Sequence, residues 1–478
     1  MPFSIFPIHI YRCVLFLFLA SLFITFIYRA AYFDEAWFAE ESFWLIRDGQ
    51  VRSELFHGYN GWENGLYVFH KLFVYAGALV MSITGISVAS SKLVSIFFGL
   101  LGGYFVWQYG QNRSQEQQWL SVVLYFGCGT LIRYISVNRP EAMCMTLGFA
   151  SYLVLDPPGP SSRPKPFIAG VLAGLAALTH LNGIIYLLAG TGWLYLKTGW
   201  RSTSMFAIAG ALTLSLYGLD AFLDGNLSML VKQFLHDPAT QQSLHLGDKL
   251  SVMADYHRIF FYGQNEIALT VLAILCGLAF RRSITITQPI FLYTVLLIGS
   301  FWLLTKSVTD IYFLLFVPWL AILTAHWLKT YLPAQPTWQK NTARILLILY
   351  GLIAAIQFGT VLLENKNALD TEAHNALLAN HMPNKNTKVI APIEFFFGQM
   401  DNYKILGLTY FYLLEREKGV ISLDTFFRQA DQAQVEYIIS DHRLNASYDI
   451  PIKAPARIGA YQRIFQDSWN TIYARQHR

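Results

Sequence analysis

Long apolar runs recur along the first three quarters of this chain, at residues 13–31, 90–109, 118–136, 141–155, 166–181, 183–197, 203–223, 266–280, 288–305, 310–328 and 343–363. Such runs approach the ~20 residues an α-helix needs to cross a hydrocarbon core. The pattern therefore predicts an all-α polytopic membrane protein with about eleven transmembrane helices. Segment 64–84 is apolar overall but carries His70 and Lys71 in its middle. A charge held at mid-bilayer costs roughly 2.5–3.5 kcal/mol or more, so the competing reading is a helix lying flat at the interface. Loop charge decides between them. With 64–84 flat and the N-terminus cytoplasmic, the loops holding Arg113, Arg163 and Lys165, Lys197 and Arg201, Arg281 and Arg282, and Lys329, Lys340 and Arg344 all fall on the cytoplasmic side. Asp34, Glu35, Glu63, Glu141, Asp224, Asp237 and Asp310 then gather on the other side, as the positive-inside rule favours.

Beyond residue 363 the pattern changes to polar sequence with short apolar strands, Lys388–Ala391 and Val435–Ile439, near helix-like stretches at 371–380 and 405–418. This predicts a small α/β domain outside the membrane. The expected division is 1–363 for the membrane domain, with an external loop at 32–89, and 364–478 for an external domain.

Composition agrees with this picture. Of the 478 residues, 54% are hydrophobic and 14% are charged, against about 25% charged in soluble domains. The net charge of +5 comes with no basic run of the kind that binds nucleic acid. The run Cys13–Tyr28 ends in Arg29-Ala30-Ala31-Tyr32, without a small-residue cleavage site. It reads as a retained first helix rather than a signal peptide. Cys13, Cys128, Cys144 and Cys276 all lie in or beside apolar segments and read as packing residues rather than a disulfide framework.

The sharpest chemical feature is Asp34-Glu35, just past the first apolar run and followed by Glu40-Glu41. Adjacent carboxylates at a membrane exit serve either as reacting groups or as helix N-terminal caps, and both readings stand on spacing alone. Other polar clusters are Trp62-Glu63-Asn64-Gly65, Asn138-Arg139-Pro140-Glu141, Thr179-His180-Leu181-Asn182, and Lys306 with Tyr312 and Pro318. Each has an ordinary alternative. Arg139 and Glu141 suit an interfacial ion pair, His180 a helix cap, and Lys306 a snorkelling contact with headgroups. His70 and Lys71 are expected to face headgroups from the flat helix. The irregular loop 224–263, with His236, Asp237, His245, Asp255 and His257, is expected to be solvated rather than metal-binding.

In their order along the chain these features resemble the GT-C class of membrane glycosyltransferases. More narrowly, they resemble the superfamily of protein O-mannosyltransferases and lipid A aminoarabinose transferases (glycosyltransferase families 39 and 83). The resemblance implies a GT-C fold and transfer of sugar from a polyprenyl-phosphate donor to an envelope acceptor, whether glycan, lipid or protein. It implies Asp34 as the general base, with Glu35 and Glu141 as further catalytic carboxylates. Lys306, Tyr312, Arg139 and His180 are implied at the donor phosphate. A proline that relatives carry at the start of the flat helix is missing here, which leaves the role of Glu63 open. No cofactor is demanded, although a divalent metal bridging Glu63 or Glu35 to the phosphate is an option the carboxylates allow. The rival function is a transporter or flippase of lipid-linked sugar, since membrane carboxylates also mark ion-coupled transport. Transporters commonly show internal repeats, and none is visible here. The expected setting is a bacterial inner membrane with the C-terminal domain periplasmic. Sugar, acceptor and oligomeric state are not encoded legibly.

Overall fold

A computed structural model describes residues 4–476 apart from 33, 112, 158–163, 237–245, 256, 262, 305–308, 369 and 443–446. The chain divides into two compact units. One comprises Met1–Arg29, His70–Phe73 and Leu93–Asn367; the other comprises Ala30–Phe69, Val74–Lys92 and Ala368–Arg478.

The first unit is helical. It opens with α1 (Ile8–Tyr28), whose 21 residues span about 31 Å at 1.5 Å each, close to the thickness of a hydrocarbon core. Among the described residues, five helical stretches are long and apolar enough to cross a membrane, or six if the bent pair Met253–Phe261 and Glu266–Ala279 is one span. Shorter apolar helices add Lys71–Thr84, Glu141–Leu155, Pro166–Thr179 and Pro289–Leu304. The protein is an integral membrane protein. The sequence count of eleven includes runs whose helices are shorter than these five, such as Glu141–Leu155, Pro166–Thr179 and Pro289–Leu304, and one run that breaks. Segment 118–136 is two helices, Gln115–Phe126 and Gly129–Tyr134. At the break, a Cβ on Gly127 would lie 2.8 Å from the Tyr350 ring and 2.9 Å from that of Phe18, so close helix packing requires the glycine. Pro166–Thr179 and Trp200–Ser215 pack nearly backbone to backbone: a Cβ on Gly170 would meet Phe206 O at 2.3 Å, and one on Gly174 would meet Thr213 Cβ at 2.5 Å. This is the small-residue contact by which membrane helices associate. All four cysteines are unbridged; Cys128, Cys144 and Cys276 are buried, whereas Cys13 is exposed.

The second unit is built on a six-stranded sheet, comprising β1 (Lys388–Ala391), β2 (Lys404–Gly407), β3 (Tyr437–Asp441), β4 (Arg457–Ile458), β5 (Tyr461–Gln466) and β6 (Asn470–Arg475), in the order β2-β1-β3-β6-β5-β4. β1 runs parallel to β2 and β3, and the remaining pairs are antiparallel. The small α/β fold expected here is present, though the predicted helix 405–418 begins with a strand and is helical only over Leu408–Lys418. Because side chains alternate across a strand, each central strand feeds two cores. Val389, Ile439 and Ile472 point to one; Ile390, Ile438 and Tyr473 point to the other. The second core is closed by the helices Leu408–Lys418 and Leu423–Gln432. The first is closed by residues 36–88, with Phe43, Leu55, Phe56 and Trp62 buried in it. The long loop after α1 is thus part of this unit's core. The Gly407 amide donates to Leu55 O at 2.8 Å, tying the loop to the end of β2.

Within that loop, α2 (Glu35–Asp48) ends at Gly49, whose φ of 72° suits a glycine C-cap. Glu40, fully buried on α2, gathers four donors. Ser53 Oγ donates at 2.6 Å, the amides of Glu54 and Leu55 at 2.7 and 3.0 Å, and Trp44 Nε1 at 3.1 Å. Burial pushes its carboxyl up to about 7, against the downward pull of those donors. Glu40→Ala would leave four buried donors unmatched, at roughly 1–3 kcal/mol for each that water cannot reach. It is expected to lower the melting temperature of the purified protein clearly, and a melting curve identical to wild type would refute this role.

Candidate active site

In the second unit, the turn Tyr32–Glu35 leads from Ala30 into α2. Glu35 is fully buried, and its carboxylate receives the Tyr32 amide and lies 3.7 Å from Lys92 Nζ. Lys92 is also fully buried, and its ammonium donates to Ala30 O at 3.1 Å. One ion pair therefore clamps both sides of the turn. Asp34 occupies the N-cap position of α2 in helical geometry, and its side chain makes no capping hydrogen bond to α2. It is half-buried, unlike its neighbour. The paired carboxylates thus part ways as their ~100° separation on a helix suggests: Glu35 into the core, Asp34 toward the surface. Behind the turn, Trp37 stacks on Trp62 with ring centroids 5.5 Å apart.

Glu63 is partly exposed and spends its oxygens locally, accepting from the Gly58 amide at 3.0 Å and Asn64 Nδ2 at 3.1 Å. Among the described residues no three His, Cys, Asp or Glu side chains gather as a metal site would require.

In the first unit, Arg139 and Glu141 meet side by side across Pro140. Arg139 Nη2 donates to Glu141 Oε1 at 2.8 Å and its Nε lies 3.2 Å from Oε2, a two-pronged geometry that fixes both groups. Glu141 is fully buried at the start of Glu141–Leu155, while the Arg139 side chain keeps some exposure. Ser95 holds the Arg139 backbone, donating to its carbonyl at 2.8 Å and accepting from its amide at 3.1 Å. His180 follows the helix Pro166–Thr179. Its Nδ1 accepts the Asn182 amide at 3.0 Å, which puts the ring proton on Nε2, 4.0 Å from Glu141 Oε1. Tyr312 meets the His180 ring edge-on at 5.5 Å. Lys306 lies outside the described residues, as do Asp237 and His245.

His70 and Lys71 correct the sequence reading. His70 stacks on His180, ring centroids 4.7 Å apart, and Lys71 is buried, ion-paired with Asp220 and set over the Tyr217 ring. Neither faces headgroups in the way a flat amphipathic helix suggests, because both charged partners are supplied from far along the chain. Lys92 escaped the sequence reading altogether. Its signal was a single lysine near the start of an otherwise uncharged 22-residue apolar helix, Val88–Tyr109, since an isolated charge in such a run calls for a partner.

Comparison with solved structures then decides the fold. ArnT from Cupriavidus metallidurans, bound to undecaprenyl phosphate, superposes with a TM-score of 0.64 at 12% identity over 97% of both chains. Its apo state gives 0.66 at 14% identity. The fold is that of the GT-C glycosyltransferases. The archaeal oligosaccharyltransferase AglB from Archaeoglobus fulgidus, in complex with an inhibitory peptide and a dolichol-phosphate, matches 89% of this chain and 69% of its own at TM-score 0.51 and 11% identity. The arabinofuranosyltransferase AftD from Mycobacteria matches the whole of this chain and 40% of its own at TM-score 0.54 and 14% identity. By sequence, no family model and no curated protein matches the chain. The GT-C fold implied by the ordered motifs is borne out.

The clamp makes a testable demand. Lys92→Met leaves the Glu35 carboxylate buried without its cation, at a cost of about 3–5 kcal/mol, and should sharply lower the melting temperature. Glu35→Gln together with Lys92→Met should recover most of that loss. Equal melting temperatures for wild type and Lys92→Met would show that the pair holds nothing.

Proposed function

We propose that this protein transfers a sugar from a polyprenyl-phosphate carrier to an acceptor of the cell envelope, on the external face of a bacterial inner membrane. The observation that carries this reading is the superposition on ArnT bound to undecaprenyl phosphate, which extends over nearly all of both chains. About eleven spans, a cytoplasmic N-terminus and an external C-terminal domain at 364–478 complete the arrangement.

The reaction is a single displacement. An acceptor oxygen forms a bond to the anomeric carbon as the bond from that carbon to the lipid-phosphate oxygen breaks. The bond's electron pair leaves on the phosphate, and the acceptor's proton passes to Asp34. Attack opposite the leaving group inverts the anomeric centre. Asp34 is assigned as the base by its place directly after α1, half-buried at the start of α2. Glu35, locked against Lys92, serves as a positioning residue beside it. Charge developing on the departing phosphate calls for donors. Arg139, the Nε2 proton of His180, Tyr312 and Lys306 are the groups assigned to it. Glu141 holds the Arg139 guanidinium at a fixed angle. The phosphate ester itself supplies the driving force, so a nucleotide site has no part in the scheme.

Asp34→Asn keeps the size of the side chain but not its basicity. In purified protein supplied with a labelled polyprenyl-phosphate sugar and an envelope extract as acceptor, it should lower transfer by about 10²–10⁴-fold with an unchanged melting temperature. Normal turnover would remove Asp34 as base, and passage of the intact donor across a vesicle without release of lipid phosphate would identify a transporter instead.

A further inference from the structure

At the far end of α2 from Asp34, about 20 Å along the helix, the second unit holds a cleft that the transfer chemistry leaves unused. Its volume is about 620 Å³, within the range of small-molecule sites. One wall is the last turn of α2 and the segment after it, carrying Arg47 and Arg52. The other is the start of β1 and β2, carrying Lys388 and Lys404.

Three features of the cleft describe its ligand. Lys388 and Lys404 are direct register partners on the parallel strands β1 and β2, and both are exposed, the Lys388 ammonium donating to Ala433 O at 3.1 Å. Neighbouring strands run about 4.8 Å apart, and like charges set directly opposite one another are destabilising. Both line the cleft, and an anion held there offsets their shared positive charge. Arg47 pairs with Asp401 at 3.3 Å, both side chains largely in solvent, and its guanidinium lies 5.6 Å from the Trp44 ring centroid and 5.7 Å from that of Phe43. Such a pair contributes little and exchanges readily for another anion. Arg52, by contrast, is committed: it lies 3.6 Å from the Trp44 ring centroid and binds both Asp48 and Glu54, so it shapes the cleft without supplying a vacant charge.

The carboxylates in the same cleft oppose a bare polyanion but accept hydrogen bonds from hydroxyl groups. A ligand carrying one acidic group per sugar among many hydroxyls satisfies both walls. We propose that this cleft binds an acidic saccharide, a sugar bearing a carboxylate or phosphate, as the part of the acceptor remote from the reacting hydroxyl. Its role as an acceptor subsite rests on the transferase reading, whereas binding itself does not.

The test is calorimetric titration of the full-length protein in detergent with trigalacturonate, maltotriose and inorganic phosphate. Trigalacturonate should bind at least tenfold more tightly than maltotriose. Lys388→Gln with Lys404→Gln should weaken it at least tenfold at an unchanged melting temperature, because both side chains are exposed. Asp34→Asn should bind it as wild type does. Trigalacturonate that fails to bind, or binds equally to wild type and the lysine variant, overturns the proposal. So does inorganic phosphate that displaces it at equal concentration, since that marks a site for the bare anion. Binding that passes these tests in a protein without transferase activity would sink the transferase reading and leave the cleft assigned.

Discussion

Everything at the mouth of α2 depends on one ion pair buried out of reach of water. Removing a carboxylate and an ammonium from solvent costs several kcal/mol each, and their attraction repays this only when the remaining donors and acceptors are also matched. Glu35 and Lys92 meet that condition, because the Tyr32 amide completes the carboxylate and Ala30 O completes the ammonium. The pair therefore does more than neutralise charge. It ties Ala30 and Tyr32 to the first residue of α2, next to Asp34. For the proposed base, a position beside such a pair reduces the ordering required at the moment of reaction, which is how positioning lowers a barrier.

The same economy extends along α2. Its buried face carries Glu40, whose oxygens collect the loop amides of Glu54 and Leu55 together with Ser53 and Trp44. The loop it organises packs into the sheet's core through Leu55, Phe56 and Trp62. A polar loop that would fray on its own is thereby made part of a folded unit. The price is a set of buried polar groups, every one of which must keep its partner. In the other unit, Arg139, Glu141 and His180 show the same habit, each held by a second contact to Ser95, to one another or to Asn182.

Much of this was legible because it is local. Asp34 and Glu35 stand out as charges beside an apolar run, Arg139 and Glu141 are two residues apart, and β1 and β3 are short apolar strings in polar surroundings. The ordered motifs were enough to suggest a GT-C fold. What the chain concealed is what long-range pairing decides. Lys71 reads as a headgroup contact until Asp220, 149 positions away, is seen to hold it. Lys92 hides inside a helix that passes every test of apolarity. The rings of Phe18 and Tyr350 leave no room for a side chain at Gly127, beside the break after Phe126, and no local pattern records them. The shared core of the 36–88 loop and the C-terminal strands joins segments about 300 residues apart in the chain, far beyond any periodicity.

In the proposed transfer, Asp34 takes the acceptor's proton while Glu35 stays paired with Lys92. A single working carboxylate supports one displacement, whereas a double displacement needs a second group to form and release a covalent sugar. The anomeric configuration of the transferred sugar, read by proton NMR from a donor of known configuration, tests this most directly. The account predicts complete inversion; a product that retains the donor's configuration would contradict it.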